Sequence, residues 1–349
     1  MTTTGFTRLD AAADTERILE DIRRIEPALV ERLDEFDRER RIPRDVIDSL
    51  KAIGVFDALT PRSHNGLQLG AVNSVKILEE LARIDASLAW ATMIGMESPQ
   101  ILALLPRETY DRLFLAEDRP LFGGTFLPAG RATKVAGGYR VTGRWGFASG
   151  CQNWDLLFGN CVVFAEDGTP LPAAVADQGA SASGGSLTRA MVMPAAQVTI
   201  EDTWRTLGMR GSGSHHFHAD DVFVPDDFSF DILYDRPNVT GVAAFPIAEF
   251  NTHITAVILG TARGAIEDFR RVAQTKRRMG QTVPAAQNPI VQDRIGRAEA
   301  TVRAAQAYLH QTAAYLEGCS GDEKFQDITV ERTGPHTRGS PGRRRMWST

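Results

Sequence analysis

Apolar positions along this chain follow one period, then another, then the first again. From about residue 15 to 118 the spacing is helical: Ile18, Ile22, Ile25, Leu29 and Leu33 form one stripe, with Glu and Arg opposite. Pro43 opens and Gly54 closes a helix over R-I-P-R-D-V-I-D-S-L-K-A-I-G, the asymmetry expected of helix ends. Ala71 to Arg83 predicts another helix, and the nearly all-apolar run from Ser87 to Met96 predicts a buried one. From about Pro120 the pattern alternates with period two, broken by turn signals at Gly137–Gly138, Asp167–Gly168 and Gly184–Gly185. That predicts a small antiparallel barrel or sandwich. Helical spacing returns at about Ala248, predicting a helix to Met279. A second, from Asn288–Pro289 to Glu317, should bury Ile290, Ile295, Val302 and Leu309. Helices, strands, helices: the class is α+β, in segments 1–118, 119–236 and 237–349.

Gly138 to Cys161 is the stretch with the most chemistry. Tyr139, Val141 and Gly143 alternate with Arg140, Thr142 and Arg144, the pattern of a half-buried strand, and Leu156, Leu157 and Phe158 begin a second strand. Between them Trp145, Phe147 and Trp154 crowd Ser149 at a Ser149–Gly150 corner. Spacing alone is met by a hairpin of an ordinary antiparallel sheet. The corner also suits a flat, mostly apolar ligand that needs one aimed hydrogen bond.

Composition narrows the class. The 349 residues are 43% hydrophobic and 24% charged, with net charge −5, which gives no electrostatic footprint for nucleic acid. No apolar run reaches membrane-spanning length, and the N-terminus lacks an apolar signal core. Cys151, Cys161 and Cys319 show neither metal nor disulfide spacing, which fits a reducing cytoplasm. There is no Walker loop and no dinucleotide fingerprint.

Y-R-V-T-G-R-W-G-F-A-S-G resembles the central strand motif of the acyl-CoA dehydrogenase superfamily, most closely its branch of two-component flavin-dependent monooxygenases. Three further stretches agree in order: T-F-L-P-A-G-R-A (125–132), W-R-T-L-G-M-R-G-S-G-S (204–214) with D-D-V-F-V-P (220–225), and L-G-T-A-R-G-A-I-E-D-F-R-R-V-A-Q-T-K-R-R-M-G (259–280). The resemblance covers roughly residues 15 to 332. It implies an N-terminal helical domain, a central antiparallel β-barrel and a C-terminal helical bundle that builds a homotetramer. It also implies FAD or FMN, received reduced from a separate flavin reductase, and oxygen transfer to a small, mostly apolar or aromatic metabolite. Two alternatives stay open: an acyl-CoA dehydrogenase, which needs a carboxylate base, and an inactive homologue that keeps the fold.

The resemblance assigns roles residue by residue. Ser149 would hydrogen-bond the flavin N5 edge as the catalytic-site residue, or as a turn serine bond its own backbone. Trp145 and Phe147 would pack near the flavin ring, or in the core. Arg210, Ser212 and Ser214 in G-M-R-G-S-G-S would meet a phosphate or flavin edge, or form a turn. Lys276 stands where the family has an arginine reaching a neighbouring subunit's flavin phosphates, with Arg277 as a substitute cation; lysine keeps the charge without the bidentate fork. Glu97 departs from a histidine that related monooxygenases often carry. His215, His216 and His218 read as exposed strand residues and not as metal ligands. From about 333 the bundle looks truncated. Helical spacing stops, and Pro335, Gly339, Pro341, Gly342 and the run Arg343–Arg345 enter, as in a frameshifted or disordered tail.

Overall fold

The computed structural model describes residues 8–172, 185–232, 235–241, 246–277, 279 and 282–319. The tail from 333 lies outside these.

The N-terminal helices are α1 (Arg8–Val30), α2 (Leu33–Glu39), α3 (Arg44–Ile53), α4 (Gly70–Ile84), α5 (Ala86–Met96), α6 (Ser98–Leu102) and α7 (Arg107–Phe114). The predicted stripe of α1 faces the core, where Ile18, Ile22 and Leu29 are buried. Pro43 begins α3, and Gly54 ends it in the left-handed conformation, its N–H capping the Leu50 and Lys51 carbonyls. Asp85 caps α5 by accepting from the Leu88 N–H at 2.7 Å. Only Ala86, Trp90 and Ile94 of α5 are less than fully buried. They recur every fourth residue, so one stripe of an otherwise enclosed helix keeps accessible surface.

The middle segment is one mixed sheet and not the antiparallel barrel expected. Its strands are β1 (Phe122–Val135), β2 (Gly138–Ala148), β3 (Leu156–Phe164), β4 (Thr188–Pro194), β5 (Thr199–Glu201), β6 (His215–Pro225) and β7 (Ser229–Phe230), in the order β5-β6-β2-β1-β3-β4-β7. The predicted β2–β3 hairpin does not form. β2 pairs with β1 and β6, while β3 crosses the end of β1 and pairs with it in parallel on the far side. The Ser149 corner therefore bridges β1 instead of turning tightly on itself.

Trp145 locks this arrangement. Its ring is fully buried, stacks on Phe217 at 5.0 Å and donates from Nε1 to the Asn160 carbonyl at 2.8 Å. A Cβ placed on Gly130, Gly143 or Gly159 would come within 2.2 to 2.6 Å of that ring. Three strands thus omit side chains to admit one indole.

α8 (Pro246–Thr275) and α9 (Pro289–Cys319) complete the fold, α8 lying along α4. Leu309 of α9 is buried, and Glu79 of α4 takes hydrogen bonds from Gln306 at 3.1 Å and His310 at 2.8 Å. Ile295 and Val302 are half-buried, and Ile290 is exposed, against expectation. The first turns of α9 lie before the Gln306–His310 anchor on α4, so no second helix covers Ile290 among the described residues.

Gly159→Ala should push a methyl into the Trp145 ring from a strand with no room to give. Overpacking of this kind costs about 1–3 kcal/mol, read as a lowered denaturation midpoint. Gly208→Ala, with nothing within 4 Å of the added carbon, should leave the midpoint unchanged. Equal effects would remove Trp145 from its role.

Candidate functional site

The corner is shaped by a bulge. Alternation along β2 should place Phe147 on the same buried face as Trp145. Pairing with β6 slips between Trp145 and Ala148, and Phe147 takes a left-handed φ of 62°. Phe147 is thereby turned out, 73% exposed, and Ala148 turns in. A bulky residue at positive φ carries strain that surrounding contacts must hold. Those contacts are local: the Ser149 N–H donates to the Phe147 carbonyl at 3.0 Å, and Trp154 Nε1 donates to the Ser149 carbonyl at 2.7 Å.

Behind the bulge three hydroxyls form a chain. Ser149 Oγ meets Ser214 Oγ at 2.8 Å, and Ser214 Oγ meets Ser212 Oγ at 2.9 Å, all three buried. Trp90 of α5 donates from Nε1 to Ser149 Oγ at 2.9 Å. Proton counting gives the chain two settings. When Ser214 donates to Ser149, the Ser149 hydrogen is free; when Ser149 donates to Ser214, a lone pair of Ser149 is free. The corner can meet a ring nitrogen as donor or a ring N–H as acceptor.

Residues 202–214 form the opposing ledge. His215 is buried, and its Nδ1 accepts the Thr203 and Trp204 N–H groups, both at 3.2 Å. Burial holds its pKa below the ordinary value, keeping the ring neutral as that acceptor role requires. Trp204 meets Phe147 edge-on at 6.2 Å, and Leu207 and Met209 are exposed beside it. Phe126 and Leu127 are exposed where β1 breaks register between Thr125 and Gly130. Phe147 and Trp204, exposed or half-buried beside a buried hydroxyl chain, could seat a flat ring with one polar edge.

The helical wall carries a second polar cluster. Glu97, at the C-terminus of α5, accepts from or donates to His253 Nδ1 at 2.9 Å, and His253 Nε2 meets Ser74 Oγ at 2.9 Å. Gln100 Nε2 donates to Glu249 at 2.7 Å. Burial raises both carboxyl pKa values. Phe126 of β1 and Phe250, next to Glu249 on α8, meet with ring centroids 6.4 Å apart.

Of the residues singled out from sequence, the structure brings Ser149, Ser212, Ser214 and Phe147 together. Trp145 is a correction: its ring is spent on the core and has no surface for a ligand. Arg210 turns away, donating from Nε to the Asp37 carbonyl at 3.0 Å. Lys276 and Arg277 are exposed just past the end of α8, about 35 Å along it from His253. His216 and His218 point to the outer face, toward Arg144 and Glu201. Sequence reasoning missed Trp90, Thr125, Gln100, Glu249 and His253. The visible signal was Trp90 on the same face of an apolar helix as Glu97, seven residues on.

Residues 13–106 match the family model for the acyl-CoA dehydrogenase N-terminal domain, and residues 252–333 that for the acyl-CoA dehydrogenase C-terminal domain. Indole-3-acetate monooxygenase of Pseudomonas putida is 32% identical over 302 residues, 85% of this chain and 73% of that protein. The oxygenase component of the FADH(2)-dependent resorcinol hydroxylase of Rhizobium sp. is 27% identical over 81% of this chain and 69% of its own length. XiaF from Streptomyces sp., solved with FADH2 and glycerol, superposes with a TM-score of 0.79 at 22% identity, over 90% of this chain and 78% of that one. TdsC from Paenibacillus sp. A11-2, solved with FMN and indole, gives 0.72 at 18% identity, over 88% and 78%. These two likenesses establish the fold.

Phe147→Asn removes a strained bulky residue from positive φ in favour of one that tolerates it. Little burial is lost, so the unfolding free energy should hold or rise by up to about 1 kcal/mol. A loss of more than that in urea denaturation would mean that the ring supports the fold.

Proposed function

This chain belongs to the acyl-CoA dehydrogenase family, in its branch of two-component flavin-dependent monooxygenases, and on that premise we propose how its own residues serve the reaction. It is the oxygenase component, receiving reduced flavin from a separate reductase and hydroxylating a small aromatic metabolite. The observation that carries the reading is the hydroxyl chain Trp90–Ser149–Ser214–Ser212 set beside the turned-out Phe147. Bound reduced flavin would supply the activation of dioxygen. Phe147, Trp204 and Leu207 would seat the ring, and Ser149 would hold its N5 edge in either redox state through the two settings of the chain. Ser212 and Ser214 act through Ser149. FAD and FMN both suit this seat.

Lys276 and Arg277 are too far along α8 to touch a flavin bound at their own chain's corner. We assign them to the phosphates of a flavin bound by another subunit of a homotetramer. Exposed Ile258, Phe269, Val272, Ile290 and Tyr308 on α8 and α9 support such an assembly. No described helix is long and apolar enough to cross a membrane, and we place the enzyme in the cytoplasm.

Ser149→Ala deletes one buried hydrogen bond, worth roughly 1–3 kcal/mol, or about tenfold to a hundredfold in affinity. Reduced-flavin binding by anaerobic equilibrium dialysis should weaken by that factor, and more hydrogen peroxide should leak per turnover. Unchanged binding and coupling would reduce Ser149 to a turn residue. Phe147→Asn should weaken the same binding without loss of fold.

Lys276→Ala should also weaken flavin binding, and the deficit should shrink in high salt because the contact is electrostatic. A salt-independent deficit would point instead to damage at the end of α8.

A further inference from the structure

The second polar cluster has an asymmetry that the flavin seat does not explain. One carboxyl oxygen of Glu97 is bonded to His253 Nδ1. The other has no hydrogen-bond partner among the described residues, although Glu97 is only 4% exposed. That oxygen keeps a little accessible surface, whereas Gln100 Oε1 and Thr125 Oγ1 are buried outright without partners. Gln100 bonds Glu249, the next residue is Phe250, and its ring faces that of Phe126, the neighbour of Thr125. Glu97 continues the one accessible stripe of α5: it follows Ile94 by three residues and Trp90 by seven. Trp90 reaches Ser149, so the stripe starts at the flavin seat and ends at Glu97.

The bonding of His253 fixes what the free oxygen can do. Ser74 Oγ donates to the Ala71 carbonyl at 3.0 Å, so His253 Nε2 donates to Ser74. Nδ1 then either accepts a hydrogen bond from the O–H of a neutral Glu97 or, protonated, donates to its carboxylate. In both cases the second oxygen of Glu97 is an acceptor only. Among the described residues, the charge felt by Glu97 besides His253 is another acid, Glu249. This end of the space therefore favours a neutral donor and disfavours an anion.

We propose that Glu97 anchors the substrate, accepting a hydrogen bond from a ring N–H or phenolic O–H, while His253 and Ser74 act as positioning residues. The inference rests on the oxygenase reading and deepens it. An aromatic heterocycle or phenol lies with its donor toward Glu97, alongside the touching pair Phe126 and Phe250. Any carboxylate on the substrate points away from the acids.

The test compares indole with 1-benzofuran, its isostere lacking the N–H, by calorimetric binding to flavin-free protein. Wild type should prefer indole by roughly tenfold to a hundredfold, the cost of leaving a buried acceptor unpaired. Glu97→Gln, whose amide N–H can bond His253 and leave its carbonyl free, should keep that preference within about threefold. Glu97→Met, checked for native circular dichroism, should bind both compounds alike by weakening indole alone. A wild-type ratio near one, failure of wild type to bind either compound, or a preference surviving in folded Glu97→Met would overturn the proposal. The wild-type ratio is decisive even if the Met variant does not fold. No flavin enters this measurement, so its failure is distinct from failure of reduced-flavin binding, which would overturn the oxygenase reading.

Discussion

Trp145 has one place to go, and the site follows from it. Its indole fills a space that Gly130, Gly143 and Gly159 leave open in three strands, and its N–H is paired there. β2 cannot slide past this plug without clashing with backbone on either side. The strand still has to leave the sheet and cross the end of β1. The extra residue is taken up immediately after the plug, at Phe147, as a bulge. Turning Phe147 outward and bringing Ser149 against Ser214 are two results of the same backbone event. The rigid part of the sheet thus determines where the strained part lies, and the strained part presents the chemistry.

This arrangement divides labour between the layers of the fold. The sheet supplies the turned-out Phe147 and the hydroxyl chain. α5 joins the seat to the helical wall, with Trp90 at one end of its accessible stripe and Glu97 near the other. α8 brings His253 against Glu97, Glu249 against Gln100 and Phe250 against Phe126. A ring lying on Phe147 and a substrate lying alongside Phe126 and Phe250 would both border α5. Such placement converts oxygen transfer into a reaction between held partners.

Much of this was legible in the sequence. Helical spacing located α1, α3, α4, α5, α8 and α9, because each buries one face. The motif around Ser149 and the stretch G-M-R-G-S-G-S together named three hydroxyls that the fold brings into one chain. Period two could not separate Trp145 from Phe147, which have the same parity; a bulge leaves no mark on composition. The β2–β3 hairpin was expected because the two strands are adjacent in sequence, and the parallel pairing of β3 with β1 depends on contacts distant in the chain. Glu97 and His253 are 156 residues apart, so neither could signal the other. Ile290 looked buried because its spacing is apolar, yet apolar spacing says only that a face seeks cover.

The central claim is that the bulge and its hydroxyl chain hold a flavin ring. A crystal structure of the protein with reduced FAD or FMN, grown anaerobically, tests it directly. The ring should lie against Phe147 with its N5 edge within hydrogen-bond distance of Ser149 Oγ, and Trp90 should still donate to that oxygen. A flavin bound away from this corner, with Ser149 bonded only to Trp90 and Ser214, would contradict the account.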